Sequence, residues 1–151
     1  MSAADQYGQF FLDTNVLIYA LDQSAPAKQR VAEQLICDAL DTGRGVISAQ
    51  VVQEFLHASR RKFKQPMTLA ERQRHLQVVL KPLCHYFPSI SSYELALLVA
   101  EETGYSFYDA LVVTAAIESG CDTLLTEDLQ HGRDVRGVRI VNPFEESTGD
   151  D

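Results

Sequence analysis

Short apolar blocks alternate along the chain with longer stretches in which apolar residues recur at helical spacing. Phe10-Phe11-Leu12 predicts a first strand behind a polar leader. Val16, Leu17, Ile18, Tyr19, Ala20 and Leu21 then read as the opening turns of a buried helix. Ser24 and Pro26 restart the chain, and Val31, Ala32, Leu35, Ile36, Ala39 and Leu40 form a second helical stripe that Gly43 ends. Gly45-Val46-Ile47-Ser48 predicts a second strand running into Ser48 as a helix N-cap, with Val51, Val52, Phe55 and Leu56 on one face of the helix that follows. After Pro66, Thr68 to Leu80 reads as a further amphipathic helix, and Cys84-His85-Tyr86-Phe87 as a third strand stopped by Pro88. Ser91 to Thr103 is predicted helical with Leu95, Leu98 and Val99 inward, and a second helix runs from about Ser106 to Ser119. Asp122 to Thr126 and Val138 to Val141 are the last two strands expected.

Strands and helical segments in this order argue for a parallel sheet covered on both faces. The fold class is α/β, read as a three-layer α/β/α sandwich around a central, mainly parallel sheet. At 151 residues the chain suits one domain, 1–151, with a core over about 9–143 and an acidic tail over 144–151. A net charge of −8 is the wrong sign for a protein that meets DNA or RNA over a broad surface. It leaves acids gathered in a metal site, or a basic protein segment as partner. Cys37, Cys84 and Cys121 are odd in number and far apart, and read as reduced thiols. No apolar run approaches the roughly 20 residues of a membrane span. The leader lacks the basic and apolar regions of an export signal, so a cytoplasmic protein with no membrane partner is expected.

Candidate chemistry gathers where predicted strands give way to helices. In a parallel sheet those junctions share one edge, the edge at which such sheets place their sites. Asp13 ends the first strand, and Glu54 lies about two turns into the helix after the second. Asp109 sits in the first turn of the helix that begins near Ser106, and Asp128 follows the fourth strand. Each has a plain structural role open to it: Asp13 as an N-cap, Glu54 as a solvated helix residue, Asp109 in a capping box with Ser106, Asp128 as the start of a turn. Singly, those roles are the better reading. Jointly they weaken, because acids near one edge repel one another unless a cation lies between them. One or two ions of Mg²⁺ or Mn²⁺ meet that need, being hard, oxygen-seeking and held by a few carboxylates with several waters.

Three strings carry a resemblance: FFLDTNVLIYALD near the start, VVQEFLHASRRK in the middle and SFYDALVVTAAIESGCDTLLTEDLQHG toward the end. In this order and spacing the chain resembles the PIN domain, and within it the VapC-type toxins of toxin–antitoxin pairs, from Phe10 to about Pro143. The resemblance implies a PIN-like fold and places Asp13, Glu54, Asp109 and Asp128 on the family's acidic, catalytic metal-site positions. Asn15 and Thr126 fall on polar positions that support that site. Glu127 precedes Asp128, so either could supply the fourth acid. The resemblance further implies Mg²⁺- or Mn²⁺-dependent cleavage of RNA, a homodimer, and a cognate antitoxin that fills the site.

Two other classes compete. A catalytically inactive PIN-like module that binds RNA or protein has no reason to keep four mutually repelling acids. A receiver-type phosphoacceptor expects an acidic pair at the first strand and a late lysine, where this chain has Asp13 alone and Glu127-Asp128. Neither GxxxxGK[ST] nor GxGxxG occurs. Arg60, Arg61, Lys62 and Lys64 form the only dense basic run, a cationic helix end or a set of RNA-phosphate contacts, possible also on the face of Glu54. His57, His75, His85 and His131 lack ligand spacing and are expected on surfaces or loops. Phe107 and Tyr108 could stack on a base, but packing against the sheet is the favoured reading. Val112, Val113, Ala115, Ala116 and Ile117 read as core or dimer interface.

Overall fold

The computed structural model describes residues 3–61, 63 and 65–145; Lys62, Lys64 and positions 146–151 of the acidic tail lie outside the described residues. Strand β1 (Phe10–Leu12) is buried along its whole length, as a central strand with helices over both faces must be. It pairs in parallel with β2 (Gly45–Ser48) on one side and β4 (Thr123–Leu125) on the other. β3 (Cys84–Tyr86) extends the sheet beyond β2, and β6 (Val138–Val141) extends it beyond β4, both again parallel. A two-residue strand, β5 (Asp134–Val135), closes the far edge antiparallel to β6, giving the order β3-β2-β1-β4-β6-β5.

The mainly parallel sheet is the one expected, but β5 is an addition. Two residues are too few to show any periodicity. The strand exists because Arg136 (φ 49°) and Gly137 (φ 90°) both enter the left-handed region, which suits the tight turn of a hairpin. Glu102 steadies that turn through Arg136, accepting from Nε at 3.0 Å and Nη2 at 2.5 Å.

Helices α1 (Thr14–Tyr19) and α2 (Pro26–Thr42) join β1 to β2. The β2–β3 connection holds α3 (Ala49–Ala58), α4 (Leu69–His75), a π-helical turn Leu76–Leu80 and α5 (Lys81–Leu83). α6 (Ile90–Thr103) and α7 (Phe107–Glu118) return the chain from β3 to β4. α1 packs on α2 and α3, and α2 on α5, whereas α6 packs on α7, which rests against β4 and β6. Right-handed crossovers put those two groups on opposite faces, completing the three layers. Gly45 permits the close approach of α2 to the sheet: a Cβ there would stand 2.2 Å from the Ala39 Cβ and 2.8 Å from Cε2 of Phe10.

Three sequence readings need correction. Leu98 is 55% exposed, because the inward stripe of α6 runs through Ser92, Ala96 and Val99, and a neighbour one position away is turned by about 100°. α3 ends at Ala58 with Ser59 as its cap, so Arg60 and Arg61 lie in the turn beyond the helix. They directly follow the cap at the negative end of the helix dipole, their N–H groups donating to the carbonyls of His57 and Ala58, but helical spacing does not place them on the face of Glu54. His75 is half-buried with its ring stacked 4.7 Å from Phe55, not a surface histidine; His57, His85 and His131 are exposed. Val112, Val113, Ala115 and Ala116 of α7 are core residues. The cysteines are free thiols, and no helix among the described residues is long and apolar enough to cross a membrane.

Candidate active site

The chain runs from β1 outward to β2 and β3, then returns to β4 on the other side of β1. The crevice between β1 and β4 is therefore a topological switch point, where open α/β sheets bind their ligands. Asp13 follows β1, its N–H donating to the Leu125 carbonyl at 3.0 Å. It caps α1, with Oδ1 accepting from the Thr14 N–H at 2.7 Å, so the plain capping role is present. Its other oxygen does more, since Oδ2 accepts the hydroxyl of Thr126, beyond the end of β4, at 2.8 Å. Only 8% of Asp13 is exposed. Burial pushes its carboxyl up to about 6; the bonds from Thr126 and Thr14 oppose the rise, and the charges of Glu54 and Asp128 add to it.

Asn15 ties the two strand ends together. Its Nδ2 lies 3.1 Å from Oδ2 of Asp128 and 3.1 Å from the Thr126 hydroxyl, while its Oδ1 accepts from the Glu127 N–H at 3.2 Å. The Asp128 N–H donates to the Thr126 hydroxyl at 3.1 Å. Asp128 thus faces Asp13 across Asn15. Glu127 goes the other way: it pairs with the Lys28 ammonium and accepts from the Tyr19 hydroxyl at 2.8 Å. Burial alone would raise its carboxyl, but Lys28 and Tyr19 outweigh that and hold it below the ordinary range.

Glu54 reaches the same edge from α3. Oε1 accepts from the Thr14 hydroxyl at 2.6 Å, and Oε2 accepts from the Gln50 side-chain amide at 3.1 Å. That amide also lies 3.4 Å from the Tyr108 carbonyl, which joins α3 to the first turn of α7. Asp109 is the next residue; its N–H donates to the Ser106 hydroxyl at 3.1 Å, and its half-buried side chain shares no hydrogen bond with Asp13, Asn15, Thr126 or Asp128. Tyr108 is 68% exposed, so the expectation that its ring packs against the sheet fails, while Phe107 is half-buried with its ring near those of Tyr93 and Tyr108. An aromatic residue in the first turn of a helix can point along the sheet edge, which apolar periodicity alone does not reveal.

All the candidate donors are carboxylate oxygens, the chemistry a hard cation selects. Among the described residues no three His, Cys, Asp or Glu side chains stand together as ready-made ligands of one ion. An all-oxygen donor set of this kind is what a hard divalent cation such as Mg²⁺ would accept, and the carboxylates of Asp13, Glu54 and Asp128 would hold it. A buried carboxyl raised by desolvation and by like charges is the observation behind the fit, because a cation removes both penalties. Sequence reasoning missed Thr14, Gln50, Tyr19 and Lys28. Gln50 carried a signal, lying four residues before Glu54 on one helix face; Lys28 and Tyr19 carried none.

The family model described as PIN domain matches residues 10–133 of the chain. No curated protein matches it in sequence. Among solved structures, a toxin–antitoxin complex from Klebsiella pneumoniae is similar at TM-score 0.61 and 20% identity, over 88% of this chain and 96% of that one. FitAcB from Neisseria gonorrhoeae gives TM-score 0.61 at 17% identity, over 91% of this chain and 99% of that one. VapC20 from Mycobacterium tuberculosis, described as a sarcin–ricin loop cleaving toxin, gives 0.50 at 18%, over 76% and 86%. At these identities the likeness is one of fold.

Proposed function

The chain belongs to the PIN domain family, and we propose that it is a divalent-metal-dependent endoribonuclease, the toxin of a type II toxin–antitoxin pair. The observation that carries the reading is Asp13, buried at the β1–β4 crevice with Thr126 and Asn15 linking it to Asp128, and with Thr14 bonding it through its N–H and Glu54 through its hydroxyl. Asp13, Glu54, Asp109 and Asp128 would hold Mg²⁺ or Mn²⁺, which supplies a lowered water pKa and stabilisation of charge on a phosphoryl oxygen. The protein's own part is orientation. Thr126 and the Thr14 N–H fix both oxygens of Asp13, Asn15 fixes Asp128, and Thr14 with Gln50 fixes Glu54. The pairing of Glu127 with Lys28 and Tyr19 supports Asp128 as the fourth acid.

In the reaction a water oxygen attacks the scissile phosphorus in line with the 3′ oxygen. The bond to that oxygen breaks, leaving a 3′ hydroxyl on one product and a 5′ phosphate on the other. The likeness to a toxin–antitoxin complex and to a sarcin–ricin loop cleaving toxin supports RNA as substrate and an antitoxin protein as partner; the homodimer implied by the family resemblance belongs to the same proposal. The test is cleavage of single-stranded and structured RNA with Mn²⁺. Expected are loss of cleavage in EDTA and in Asp13→Asn, with circular dichroism unchanged. Cleavage that survives EDTA overturns the metal dependence, and wild-type protein inert in Mn²⁺ makes the chain a binding module.

A further inference from the structure

A cavity of about 510 Å³ opens at Gln50, the residue whose amide donates to Glu54, and its volume is within the roughly 300–1,000 Å³ usual for ligand pockets. Its walls include Tyr86, Tyr93, Phe107 and Tyr108, with the amides of Gln50 and Gln53 at hand. Two links make it a built feature. Glu118 accepts the hydroxyls of Tyr86 and, at 2.7 Å, of Ser92, which fastens β3, α6 and α7 together around it. The Phe107 ring lies 6.4 Å from that of Tyr93 and 5.8 Å, nearly edge-on, from that of Tyr108, so Phe107 and Tyr108 form a corner.

We infer that this cavity seats one unpaired RNA base next to the scissile phosphate, stacked on Tyr108 and Phe107 with its edge toward Gln53. The inference rests on the nuclease reading and names the part of the substrate that this face recognises. Contiguity supports it. Gln50 lines the cavity while its amide donates to Glu54 and approaches the Tyr108 carbonyl, and Asp109 follows Tyr108. A base in the corner therefore places its own phosphate toward the acids. Charge supports it as well: a chain of net charge −8 grips the neutral face of a nucleotide more readily than its phosphates, and among the described residues no Lys or Arg lines the cavity. Recognition of single-stranded RNA by aromatic stacking, with amides reading the base edge, needs no cation.

The test uses the intact protein with Mn²⁺ and a short single-stranded RNA that it cleaves, beside the same RNA with an abasic sugar at the nucleotide flanking the cut. Stacking is worth about 1–3 kcal/mol per base, so Tyr108→Ala is expected to raise KM by about 5- to 150-fold on intact RNA and leave it unchanged on the abasic RNA. Tyr108→Phe retains wild-type KM, and Gln53→Ala relaxes the base preference beside the cut. Equal KM for Tyr108→Ala and wild type on intact RNA overturns the inference while leaving the nuclease reading intact. Wild type that cleaves no RNA overturns both. A lower sedimentation mass for Tyr108→Ala, whatever its KM, makes the cavity a protein interface and overturns the inference.

Discussion

Asp13 owes its raised carboxyl first to burial, and that makes the residue a reporter on its own surroundings. In the metal-free protein its pKa rises from 3.8 to about 6. A carboxyl held above its unfolded value binds its proton more tightly when folded, so folding is favoured at low pH, and that advantage disappears as pH rises from about 4 to about 6. At about 1.4 kcal/mol per unit, the loss amounts to roughly 3 kcal/mol. Urea unfolding in EDTA should therefore show wild type losing stability relative to Asp13→Asn between those pH values, and Asp13→Asn the more stable at pH 7; a pH-independent difference would remove Asp13 from the account. The adjacent pair gives a second prediction. Because Glu127 is held by Lys28 and Tyr19 while Asp128 faces Asn15, Asp128→Asn should lower cleavage by about 100-fold or more, whereas Glu127→Gln should change it by about tenfold or less. The reverse order, measured at saturating Mn²⁺, would make Glu127 the fourth acid. The positions of Asp13, Asn15 and Asp128 at strand ends could be read along the chain. Which of Glu127 and Asp128 turns toward Asp13 could not, because Lys28 decides it from a different helix.

At the scale of elements, legibility followed periodicity. α2 and α3 declare themselves by apolar residues at helical spacing, β1, β2 and α7 by apolar runs between breaks, and each occurs where its pattern stands. β5 has two residues and depends on the turn at Arg136 and Gly137; the π-helical turn at Leu76–Leu80 interrupts a stretch whose side-chain pattern reads as one continuous helix. Gly45 shows how a residue read only as a strand start can govern packing between layers. A Cβ added there meets Ala39 and Phe10 inside contact distance, so Gly45→Ala should destabilise the fold by about 1–3 kcal/mol as overpacking does. Ala39→Gly removes the nearer obstacle. The double variant should then recover part of the loss beyond the sum of the single effects in a urea-unfolding cycle, since the two sites touch. Strict additivity would mean that α2 shifts to accommodate the new methyl group.

Over the whole molecule, strand–helix alternation sufficed to anticipate a parallel sheet with two helical layers, and a parallel sheet gathers its strand ends on one edge. The cavity was out of reach of that reasoning because β2, α3, β3, α6 and α7 all contribute side chains to it, and no single stretch carries its pattern. Net charge was legible from composition, and it sets the last prediction. Each RNA phosphate neutralised by the protein contributes about −0.7 to the slope of log K against log salt for a single strand. Arg60 and Arg61 are exposed beyond α3, and with Lys62 they form the one dense basic run of a chain whose net charge is −8. Contacts from two or three of them would give a slope of about −1.4 to −2, and Arg60→Ala with Arg61→Ala should flatten it by about 1.4. Stacking in the cavity releases no counterions, so Tyr108→Ala should weaken binding equally at every salt concentration and leave the slope where it was. Anisotropy titrations of Asp13→Asn with labelled single-stranded RNA separate the two contributions. A slope of about −4 or steeper would require a band of phosphate contacts that this composition does not supply, and RNA would then be held by something other than base recognition.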